Sequence, residues 1–242
     1  MSEVGTDTSA GASAGTGIGR RFGTGPLSRA AALIYTLLIV ELLVLLTAAP
    51  GLAGLVLLDR DASNVPLAAL CLLPLGPALS AALYALRHRR AELTDLRPAS
   101  AFWRGYRLNA AGALKAWTPW LVWLTIVGMT LGNFSAAGVP GWWAVLLVVV
   151  AVAATLWVAN ALVITSLFAF RAVDVARLAA YSLGRFPAAT LANACLLIVA
   201  GGLTLVASEV VPVLLASVAA SVLLWNSRRM TTEVQERFTA PQ

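Results

Sequence analysis

Six apolar runs, each near the length that crosses a bilayer, leave this chain few ways to fold. A spanning helix needs roughly 20 mostly apolar residues to cross ~30 Å of hydrocarbon, and the runs cover 33–58, 65–86, 116–131, 142–170, 188–207 and 210–225. Backbone N–H and C=O groups in lipid must be paired within the chain, which makes helices of such runs. The expected fold is all-α: a polytopic transmembrane bundle of six spans. Pro50 and Gly51 predict a bend in the first span, and the uncharged Gly and Pro loop 132–141 separates the third from the fourth. The fifth and sixth meet at a tight turn around Ser208 and Glu209, with Pro212 opening the next helix. The segment TAAPGLA (47–53) could pass for a signal-peptide cleavage region, but apolar residues resume to Leu58 and five more runs follow, so the first span is expected to be retained.

Charge then sets orientation. The net charge is +6, and a nucleic-acid partner would need those cations on a polar surface. A chain 60% hydrophobic and 12% charged does not supply one. Of the seventeen Lys and Arg, sixteen fall in the N-terminal segment, the loops after spans two and four, and the C-terminal segment. Arg60, between Asp59 and Asp61, is the exception. Cytoplasmic loops retain Lys and Arg, so both termini are expected in the cytoplasm. Trp142 and Trp143 are expected at the outer interface, Trp117, Trp120 and Trp225 at the inner one, and Trp123 and Trp157 packed deeper between helices.

Three regions follow from this patterning. Residues 1–28 are Gly, Ser, Thr and Ala with almost no large apolar side chains, the composition of a disordered cytoplasmic tail. The transmembrane domain covers 29–226, and 227–242 form a second cytoplasmic tail. Between spans two and three, FWRGYRLNAAGALKAW (102–117) divides cleanly at 100° per residue. Phe102, Tyr106, Ala110, Ala113 and Trp117 share one face, with Trp103 at its edge, and Arg104, Arg107, Ala111 and Lys115 share the other. A short amphipathic helix at the inner interface is expected, its aromatic face in the acyl boundary or on the bundle and its cations toward anionic headgroups. RAVDVARLAAYSLGRFP (171–187) is a fainter copy, with Asp174 within reach of Arg171 or Arg177 and Pro187 placed to start span five. Two basic segments so placed also hint at an internal repeat of the kind transporters use.

Little in the chain points to chemistry. HExxH, GxSxG, Walker and dinucleotide-binding patterns are absent, so no enzyme activity and no cofactor are expected. Cys71 and Cys195 lie in apolar runs without further ligands nearby and read as small buried hydrophobes. His88 stands among Arg87, Arg89 and Arg90 as a solvated interfacial residue, and Gly128 and Gly132 make a GxxxG of ordinary close packing. Glu41 is different. An ionisable group at mid-membrane costs ~2.5 kcal/mol or more, and Asn160 and Asn193 are deep enough to meet it. Those three residues form a possible intramembrane polar site; the alternative is a structural carboxyl in a helix-to-helix hydrogen bond.

The segments GPALSAALYALR (76–87), FWRGYRLNAAGALKAW (102–117) and, more loosely, AAYSLGRFPAATL (179–191) resemble the YesL-like family of bacterial membrane proteins, whose biochemical function is unknown. The resemblance carries Gly76, Pro77, Ala78, Phe102, Trp103, Asn109 and Pro187, over roughly 33–236. Where that family tends to show Asn in the middle of the first span, this chain has Glu41. The resemblance implies a multi-pass protein of the bacterial cytoplasmic membrane, accessory to carbohydrate uptake and set beside an ABC-type sugar permease or another membrane protein, with no catalytic residues. A small solute transporter with a midplane site around Glu41 is the alternative. The lipid bilayer is the expected partner, and nucleic acid is not.

Overall fold

The computed structural model describes residues 26–59, 61–88, 97–138, 140–168, 170–206 and 210–238. Among these all regular structure is helical: α1 (Pro26–Leu57), α2 (Val65–Cys71), α3 (Leu75–Arg87), α4 (Pro98–Gly132), α5 (Trp142–Leu167), α6 (Ala172–Arg185), α7 (Pro187–Val206), α8 (Val210–Leu214), α9 (Ala216–Asn226) and α10 (Arg228–Phe238). Of the expected N-terminal tail, all but the last three residues lie outside this set, and those three open α1. The turn expected at Ser208 and Glu209 also lies outside it.

Among the described residues, four segments are long and apolar enough to cross a membrane, the signature of a membrane protein: Leu27–Leu57, Val65–Arg87, Trp142–Leu167 and Pro187–Val206. The third and sixth expected spans do not meet that measure. Span three lies in the second half of α4, where Trp, Thr and Lys115 dilute its apolar character. Span six is broken at Leu215, which leaves α9 as a shorter apolar helix. The first span runs on through Pro50 as one helix.

The largest departure concerns the interfacial segment. Residues 102–117 are not a short separate helix; they are the first half of α4, whose 35 residues reach about 52 Å at 1.5 Å per residue. Lys115 borders the apolar run 116–131, and the helix continues past it and through Pro119. The division into faces holds: Phe102 and Ala113 are fully buried while Arg104, Arg107 and Lys115 are exposed. The aromatic face, though, lies on the bundle core and not in the acyl boundary, and only Trp103 stays largely open.

At the centre sits α3, packed against α1, α4, α5 and α9. Its sequence LGPALSAALYALR is small on most sides, which lets four helices approach, and nine of its residues are buried. Two glycines set the α3–α4 seam. A Cβ on Gly76 would lie 2.4 Å from Trp117 Cγ, and one on Gly105 would lie 2.7 Å from Tyr84 Cβ. Gly76 thus makes the slot that Trp117 fills, leaving the indole 6% exposed. Gly76→Ala should cost about 1–3 kcal/mol through overpacking. Gly141→Ala, where a Cβ would meet nothing within 4 Å, should change stability by less than about 0.5 kcal/mol. Thermal unfolding in detergent compares the two.

The periphery departs from expectation in three smaller ways. Trp123 is 40% exposed and so is not packed deep. No Asp174 ion pair with Arg171 or Arg177 forms among the described residues; the cation of α6 that engages a carboxylate is Arg185, 3.8 Å from Glu233 of α10. The expected C-terminal tail is helical from Arg228 to Phe238, with Met230 and Val234 buried against the bundle. Pro187 opens α7, in which Asn193 is the buried residue and the apolar side chains mostly face outward.

Candidate functional site

Two of the apolar segments are discontinuous, and each break frees backbone groups that water cannot reach in lipid. Pro74 interrupts the second expected span, so α2 ends at Cys71 and α3 begins at Leu75. The Leu72 carbonyl in this break accepts from the Leu75 N–H at 3.2 Å and from Trp117 Nε1 at 3.0 Å. In the sixth, α8 is five residues long and contains Pro212, and Leu215 leaves the helical conformation before α9 starts. The first turn of α9 has N–H groups with no acceptor in their own helix. The Ser217 N–H donates to Glu41 Oε2 at 2.7 Å.

Glu41 stands near the middle of α1, beside a buried stripe of Ala32, Thr36, Val40, Val44 and Ala48 at four-residue spacing. The stripe packs α1 on the bundle and carries the carboxylate to α9, whose N-terminal dipole end favours negative charge. An unmet backbone N–H in hydrocarbon would cost several kcal/mol, so the carboxylate has a structural reason to be there. Its Oε1 is buried and accepts no hydrogen bond among the described residues.

The other expected members pair elsewhere. Asn160, on α5, donates through Nδ2 to Ser182 Oγ of α6 at 3.1 Å. Asn193 Oδ1 accepts from Asn226 Nδ2 at 3.0 Å, joining α7 to α9. Glu41, Asn160 and Asn193 are thus not joined to one another by hydrogen bonds; each ties a different pair of helices. Asn109 of the basic, aromatic segment donates to the Ser166 carbonyl at 3.3 Å, and Ser166 Oγ lies 2.8 Å from Ser80 Oγ. That network links α3, α4 and α5. Pro77 and Ala78 are buried in α3, next to Gly76, and Tyr106 packs partly buried on the core.

Ser217, Ser182 and Asn226 were not singled out from sequence. Pro74, inside an apolar run, carries the signal that would have found the first break; Pro212 lies within α8, before the second at Leu215. No signal of side-chain pattern announces that the partner of Glu41 is a backbone N–H. No family model, curated protein or solved structure matches the chain.

Proposed function

We propose that this chain is a six-span protein of the bacterial cytoplasmic membrane, with both termini in the cytoplasm, and that it acts without catalysis as an accessory or assembly partner of a carbohydrate uptake system. The observation that carries the non-catalytic, non-carrier part is the Glu41 carboxylate at the Ser217 N–H. The one ionisable group in mid-span is used to cap a broken helix, and both deep asparagines are used between other helices. Polar groups spent on holding the bundle leave few to bind a solute. The carbohydrate system, and a permease as partner, follow from the YesL-like resemblance and from nothing else.

Two cavities support the orientation. One is lined by Leu33, Arg87, Leu167 and Arg228, so the start of α1, the ends of α3 and α5, and the start of α10 share one end of the bundle. The other brings Lys115 together with Arg171. Basic segments separated by two spans in sequence thus meet at one end, as an even number of crossings between them requires. Arg104 and Arg107 stand exposed on the half of α4 that leads to Lys115, available to headgroups or a docked partner.

A second reading, a small transporter, draws on one observation: a half-helix N-terminus facing a carboxylate whose Oε1 accepts no hydrogen bond among the described residues is the kind of arrangement found at transporter midplane sites. The two separate by experiment. Purified alone in proteoliposomes, the protein should move none of a panel of labelled sugars above the empty-vesicle rate. From native membranes in mild detergent it should co-purify with a permease. Solute uptake by the purified protein alone would replace the first reading with the second.

A further inference from the structure

At the end of the bundle that carries Arg87 and Arg228 lies a cavity of about 450 Å³, within the ~300–1,000 Å³ range of ligand pockets. Leu33 of α1, Leu86 of α3 and Val222 of α9 form its apolar wall, and Arg87 and Arg228 stand among its lining residues with Trp225. The Arg228 guanidinium lies 3.9 Å over the Trp225 ring, which fixes its position. Among the described residues, neither arginine is paired with a carboxylate. The cavity is therefore amphiphilic: two guanidiniums with no carboxylate partner among the described residues, beside a wall of aliphatic side chains drawn from three helices.

We propose that this cavity is a binding site for one anionic glycerophospholipid, its phosphodiester held by Arg87 and Arg228 and the start of an acyl chain laid along Leu33, Leu86 and Val222. Guanidinium forks match phosphate oxygens in geometry as well as charge, and basic pockets between spans suit anionic headgroups. The aliphatic wall gives a free phosphate nothing, but it accepts methylenes. A choline headgroup would add a third cation to the two arginines, so phosphatidylglycerol is preferred over phosphatidylcholine. The site goes beyond the accessory role and does not depend on it. The leaflet that fills it follows from the proposed orientation, which a measurement in detergent neither uses nor tests.

Native mass spectrometry of the purified full-length protein in neutral detergent, titrated with dioleoyl phosphatidylglycerol or dioleoyl phosphatidylcholine, reads the retained lipid. The wild type should retain the glycerol lipid at about thirty-fold lower concentration, the effect of two interfacial cations. The double variant R87Q/R228Q should bring the two lipids to parity. R177Q, an exposed cation of α6 away from the cavity, should keep the wild-type preference. Val222→Trp, which fills the apolar wall and leaves both arginines in place, should weaken retention of the glycerol lipid. Equal retention of both lipids by the wild type, a preference that survives R87Q/R228Q, or equal loss in R177Q would each overturn the proposal. So would inorganic phosphate displacing the lipid at matching concentration, which would make the site one for a soluble phosphate.

Discussion

Phe102→Ala should lower the unfolding free energy by about 3–5 kcal/mol, the range for removing a fully buried aromatic side chain, whereas Trp103→Ala should cost about 1 kcal/mol or less. Phe102 has no exposed surface, while its neighbour is 41% exposed. Phe102 lies on the face of α4 that meets the core and stacks near Tyr106, with ring centroids 6.4 Å apart. An interfacial helix with its aromatic face in lipid predicts the opposite order, because the larger indole would then anchor the segment. Guanidinium or SDS titration of the purified variants, read by circular dichroism, compares them. The sign of the difference matters more than its size.

Glu41→Ala is the second large effect. Truncation removes the acceptor of the Ser217 N–H and leaves a donor with no partner at the break before α9. An orphaned buried group costs about 1–3 kcal/mol, and the low dielectric of the membrane favours the upper end. Glu41→Gln keeps a carbonyl oxygen in reach of the same N–H and should lose well under half as much. The same unfolding titration measures both. A capping role also predicts where the damage falls: hydrogen exchange should rise in the first turn of α9 in Glu41→Ala and leave α5 and α6, held by Asn160 and Ser182, unchanged.

Much of the helical content was readable from hydropathy, because runs such as 142–170 and 188–207 have no other stable backbone in lipid. The faces of α4 were readable for the same reason that any helix is, the fixed 100° step between residues. Continuity was not. Hydropathy reports the surroundings of a residue and says nothing about where its helix ends, so Lys115 marked a boundary of environment inside an unbroken helix. The burial of Trp117 was not readable from its residue type, because it depends on a slot cut by Gly76 in another helix. Glu41 was visible as an anomaly because a mid-span carboxylate is rare and costly. Its partner was hidden, since side-chain spacing carries no trace of a backbone donor freed 176 residues away.

The breaks before α3 and before α9 each draw a polar side chain from a neighbouring helix. A break in a spanning segment frees backbone groups, and in lipid their partners must come from the protein. Glu41 meets the Ser217 N–H of α9, and Trp117 adds a second donor to a Leu72 carbonyl that the Leu75 N–H already reaches. On this account Glu41 is mortar between helices.

Glu41→Gln separates that account from a carrier mechanism in one comparison, since it keeps the hydrogen-bond acceptor and removes the ionisable group. The measurement is the amount of permease co-purified with the variant from native membranes, alongside the variant's own unfolding midpoint. Wild-type partner recovery is predicted, with the midpoint lowered by well under half as much as in Glu41→Ala. A variant with an unchanged midpoint that has lost its partner, or lost a solute flux that the wild type supports in proteoliposomes, would contradict the account and make the carboxyl of Glu41 the working group.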